Sequence, residues 1–147
     1  MDIKLRFSDV PRNWAICYQT DCPLAESCLR RHVATLAPAN LQHHECVLPA
    51  ARKGESCNCF VENRPLRLAH GMKGLLVGIG YEQGIVLRNH LFKIFGSRSQ
   101  YYRYYRGRWP ISPRQQERVA ALFRQLGLER EPKFDTYDNG YYFEGDV

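Results

Sequence analysis

The segment ISPRQQERVAALFRQLGL, residues 111–128, leaves the backbone little freedom. Ser112 can accept a hydrogen bond from a first-turn amide, Pro113 has its φ preset for the first helical position, and Gln115 can reach back to the Ser112 amide. Val119, Leu122, Phe123 and Leu126 then recur at three- and four-residue spacing, which places them on one helical face. Gly127 supplies the positive φ that ends such a run. A helix with one apolar stripe has to be covered by other elements.

The rest of the chain predicts mostly helices as that cover. Leu24, Cys28, Leu29, Val33 and Leu36 share a face, which predicts a helix from about Pro23 to Leu36. Leu66, Ala69, Met72, Leu75 and Leu76 form a second stripe, closed by Gly78 and Gly80. A helix from about Ile85 to Phe95 stops at Gly96, and a short one runs from Ser99 to Arg106. Residues 1–16 read as an extended lead-in, residues 37–60 as irregular, and FDTYDNGYYF as a terminal hairpin turning at Asn139-Gly140. The expected fold is mainly α with minor β. The 147 residues fit a single domain, with a cysteine-bearing part over 1–62 and a helical basic part over 63–147.

The net charge is +6, and it is unevenly spread. Between Arg88 and Arg124 stand nine Lys/Arg (88, 93, 98, 103, 106, 108, 114, 118, 124) against one acid, Glu117. Such a field favours anionic partners, DNA or an acidic protein among them. The longest apolar run, Leu75 to Ile79, falls far short of the roughly 20 residues a membrane span needs. The N-terminal stretch MDIKLRFSDV lacks the apolar core of a signal peptide, so a soluble, cytoplasmic protein without a membrane partner is expected.

Gly96 between two helices is the outline of a helix-turn-helix, in which the second helix enters the major groove. On that reading Ser99, Gln100, Arg103 and Tyr104 face the bases, and Lys93, Arg98, Arg106 and Arg108 contact phosphate. The segment from Val86 to Gly127 resembles the DNA-binding domain of lactose-repressor-type proteins. The hydrophobic-Ser-Pro start of ISPRQQERVAALFRQLGL and the Arg106-Gly107 end of the preceding helix carry that likeness. A second reading of the same residues needs no ligand. Tyr101 with Tyr105, or Tyr102 with Tyr105, would be core, and the arginines a solvated coat stacked on rings.

A wider pattern runs along nearly the whole chain: C-x4-CP-x4-C-L-R at Cys17 to Arg30, Cys57 with Phe60, and Arg67-x-Ala69-x-Gly71-Met72. It continues with YYRY-x-x-G at Tyr101 to Gly107, Ser112-Pro113-x-Gln115-Gln116, and Phe134-Asp135-x-Tyr137. It resembles a family of small bacterial proteins of unassigned function, and so implies no activity.

Cys17, Cys22, Cys28, Cys46, Cys57 and Cys59 are many for a chain expected in a reducing compartment, where disulfides are rare and clustered thiols favour metal. Cys17-x4-Cys22 suits one half of a tetrahedral zinc site, with Cys28 reaching the same ion if Cys22 sits in a non-helical approach. The family resemblance adds Cys57 as the fourth ligand. Cys46, Cys59, His32, His43 and His44 stand in reserve. Zinc, a [4Fe–4S] cluster, and metal-free thiols that fill the core all stay open.

No phosphate loop, nucleophile elbow or H-E-x-x-H is present, although Asp135, Asp138 and Glu144 could pair with histidines for acid–base work. A non-enzymatic protein is expected. The leading expectation is a small DNA-binding or regulatory protein, and the alternative is an interaction or structural module carrying a structural metal.

Overall fold

The capping-box helix forms as its sequence dictates. Ser112 Oγ accepts from Gln115 N at 3.2 Å, and Gln115 Oε1 accepts from Ser112 N at 3.0 Å. The computed structural model describes residues 3–143, which divide into two compact units with the boundary between Pro65 and Leu66.

Unit 1 holds little regular structure. Its only α-helix among the described residues is α1, Leu29–Thr35, and its only strand pair is the hairpin of β1, Arg52–Lys53, with β2, Ser56–Cys57. Single turns of 3-10 helix lie at Phe7–Asp9, Ala25–Ser27 and Pro49–Ala51. The apolar core is small: Val10, Trp14, Ile16, Leu29, Val33 and Ala34. The helix expected from Pro23 is broken at Cys28, whose backbone is extended (φ −97°, ψ 124°). Chain pairing causes the break. Cys28 bridges Glu62, Leu29 N donates to Val61 O at 2.7 Å, and Asn63 N donates to Ser27 O at 2.9 Å.

Unit 2 contains β3, Leu66–His70, then α2, Tyr81–Ile94, α3, Arg98–Tyr105, α4, Pro113–Gln125, and β4, Thr136–Gly140. β3 and β4 pair antiparallel, with Leu66 opposite Gly140 and His70 opposite Thr136. Leu87 and Leu91 of α2, Phe95 beyond its end, Tyr101 and Tyr104 of α3, and Val119, Leu122 and Phe123 of α4 close over Ala69, Met72 and Leu75. Full burial of each large apolar side chain contributes about 1.5–3 kcal/mol before entropy is counted.

The mainly-α expectation is overturned. Four helices share the described residues with four strands in two separate two-stranded antiparallel sheets. Two local readings caused the error. Residues 66–70 carry apolar side chains at positions that suit a helix, yet their backbone groups are taken by β4. Asn139-Gly140 is not a hairpin turn, because residues 136–140 form one strand whose partner lies far upstream.

Candidate functional site

The basic face is built by one short helix and the turn that launches it. Gly96 takes φ +97°, a conformation open to glycine at little cost, and Ser97 Oγ caps α3 by accepting from Gln100 N at 3.1 Å. Arg98, Ser99, Gln100, Arg103, Arg106 and Arg108 are all exposed. Arg98 and Arg106, one turn to either side of Tyr102, stack over that ring at 6.0 and 5.8 Å, and Arg103 lies 4.8 Å from the Trp109 ring centre. Among the described residues no carboxylate pairs with Arg98, Arg103, Arg106 or Arg108, whereas Arg124 is paired with Glu117 at 2.9 Å.

Tyr104 stands apart from the other residues expected on this surface. It is buried, and its hydroxyl accepts from Gln115 Nε2 at 3.3 Å. The buried pair of α3 is Tyr101 with Tyr104, so Tyr101 alone of the expected core tyrosines is buried, while Tyr105 is half-buried and Tyr102 half-buried beneath Arg98 and Arg106. The helix starts at Arg98 with Ser97 as its cap, and that start sets which tyrosines meet α2 and α4. Tyr101 Oη is buried with no hydrogen-bond partner, and burial pushes its pKa up to about 12, with nearby Arg88 pulling the other way.

Several residues of the chain-long pattern have structural work in unit 2. Asp135 accepts from Lys73 N at 2.9 Å and Gly74 N at 3.0 Å, and its own amide donates to Gly71 O at 3.0 Å. Gly71 has φ +80°, and a methyl there would overlap the Asp135 carboxylate. Arg67 stacks over Tyr137 at 4.5 Å, and Gln116 Nε2 donates to Arg67 O at 3.0 Å. Asp138 pairs with His70 at 2.9 Å across the β3–β4 ladder, as a cross-strand tie. Glu144 lies outside the described residues.

In unit 1, Cys17, Cys22, Cys28, Cys57 and Cys59 line one hollow of about 20 Å³, together with Arg30, Arg31 and Arg52. Arg30 holds two of its walls, donating to Ala15 O and to Cys59 O at 2.6 Å each while stacking over Trp14 at 4.4 Å. Arg52 reaches Asp21 at 3.3 Å and also Cys22. All six cysteines are free thiols, and Cys46 is exposed and outside the lining. Among the described residues no three Cys, His, Asp or Glu side chains stand as a ready ligand set, so the sulfurs edge the hollow without meeting in it. The contribution of Cys59 was hidden in the sequence, because nothing in C-x-C spacing says which thiol turns inward.

No described helix is long and apolar enough to cross a membrane. No curated protein and no solved structure matches the chain, so the repressor-type resemblance gains no support from comparison. The family model described as a family of unknown function (DUF6078) matches residues 1–143, and the chain belongs to that family.

Proposed function

We propose that the protein binds duplex DNA through the exposed face of α3 and the turn after it, using Arg98, Ser99, Gln100, Arg103, Arg106 and Arg108. The observation that carries this reading is the set of four exposed arginines without carboxylate partners among the described residues, three of them stacked on aromatic rings. An arginine in a solvated coat gains little from its position, and neighbouring acids commonly neutralise it. A ring beneath a guanidinium restricts its motion and leaves the N–H edge free, so less entropy is lost when phosphate arrives. Ser99 and Gln100 lie in the first turn, and a glutamine side chain suits the paired donor and acceptor of adenine.

The test is affinity of the full chain for a random duplex across a salt series. Neutralising phosphates releases counterions, so log K should fall with log salt at a slope of about −0.9 per phosphate contacted. The double variant Arg103→Glu with Arg106→Glu should bind more weakly and lose about one unit of slope per lost contact, with an unchanged circular dichroism spectrum. Absence of wild-type binding at low salt, or equal binding by the double variant, would overturn the reading. Association with an acidic protein in place of DNA would move it to the interaction-module alternative.

A further inference from the structure

We infer that the cysteine hollow of unit 1 is a structural site for one thiophilic divalent ion, zinc, held by Cys17, Cys22, Cys28 and Cys57. Three independent observations point there. First, five of the six thiols edge one hollow although they come from well-separated parts of the chain. Its lining contains no carboxylate and no imidazole, a donor set that suits zinc and rejects magnesium or calcium. Second, the hollow has room for a single water or ion, since about 10–15 Å³ admits one such sphere. Third, unit 1 has six buried apolar residues and a single short α-helix among the described residues, too little for a chain of its length to rely on burial alone.

Charge supports the same assignment. Four thiolates around a divalent ion carry two excess negative charges, and Arg30, Arg31 and Arg52 stand in the lining to offset them. Each thiol gives its proton to solvent as its sulfur binds, so occupancy rises with pH. The break at Cys28 removes the difficulty the sequence posed. Cys28 precedes α1 in an extended conformation, so its sulfur is not committed to a helical face. Cys57 is preferred to Cys59 because it lies opposite Arg52 in the β1–β2 hairpin, and Arg52 reaches Cys22. As placed, the four sulfurs stand apart, and the ion would have to draw them together.

Elemental analysis of the full chain, purified without chelator, should find one zinc per molecule. Replacing a ligand should cost at least the roughly tenfold in affinity that loss of an outer-sphere contact costs. Cys17→Ser, Cys22→Ser, Cys28→Ser and Cys57→Ser should therefore lose the ion, while Cys46→Ser and Cys59→Ser keep it. Should the ligand variants fail to fold, cobalt(II) added to chelated wild type still decides the matter through the thiolate-to-cobalt absorption of a tetrahedral site. Wild type without metal and without that absorption overturns the proposal. So does iron with cluster absorption, or retention of zinc by Cys22→Ser.

Discussion

Four residues put the close packing of unit 2 within reach of measurement. Gly71 and Gly127 both have positive φ, at +80° and +72°, but only Gly71 faces a neighbour that a methyl would strike. Gly127→Ala should therefore cost about 1–2 kcal/mol, the backbone penalty alone. Gly71→Ala should cost clearly more, because it also dislodges the Asp135 carboxylate from two amides. Equal losses in denaturant unfolding would show that the Asp135 cap is slack. Tyr101 predicts the opposite sign. Its hydroxyl is buried without a partner, so Tyr101→Phe should stabilise the fold by about 1 kcal/mol. The phenol pKa is raised to about 12 in the folded state from the ordinary 10.0, so the unfolded chain loses its proton first. Stability then falls as pH rises from about 10 to 12, and that part of the fall should be absent in Tyr101→Phe. At Ser112 the cap is fully buried, and Ser112→Ala should cost about 1–2 kcal/mol.

Helix ends were legible where a capping box or a glycine stop marks them, but not the start of α2, which lies at Tyr81 rather than Ile85 and has no side-chain cap, nor that of α1, which lies at Leu29 rather than Pro23. α4 starts and stops where Ser112, Pro113, Gln115 and Gly127 say it should, give or take a residue, and Gly96 ends the α2 segment as read. β3 was not legible, because nothing within residues 66–70 announces a partner in residues 136–140, and an apolar stripe cannot distinguish a short strand from a helical turn. The phase of α3 was legible only in part, for a similar reason. Four tyrosines at positions 101, 102, 104 and 105 offer two three-residue pairs, and only the cap at Ser97 with the neighbours above decides between them. That choice bears on function, since it places the Tyr102 ring at the surface beneath Arg98 and Arg106. Tyr102→Ala changes no charge but frees both guanidiniums. It should weaken duplex binding severalfold while leaving the salt slope near its wild-type value. A change in slope alone would mean that the ring has no part in holding the arginines.

At the scale of the whole molecule, the two units differ in what holds them. Unit 2 has a continuous apolar core, whereas unit 1 depends on backbone ties such as Leu29 to Val61 and Asn63 to Ser27, with the proposed ion behind them. Chelation should therefore speed hydrogen exchange at the Leu29 and Asn63 amides, and leave the Ala69 and Met72 amides, which donate to Ile111 and Tyr105, as slow as before. Uniform loss of protection would contradict a metal role confined to unit 1. The β3–β4 ladder has a further consequence, for biosynthesis. A ribosome adds about 5–20 residues per second, so β4 follows β3 by several seconds. Until residues 136–140 emerge, β3 carries an open edge that any other extended chain can occupy. A nascent chain arrested at Lys133 holds all three helices of unit 2 and still lacks the strand that satisfies β3. Such a chain is a natural client for a holdase at the exit tunnel, and the emergence of residues 136–140 decides when that dependence ends.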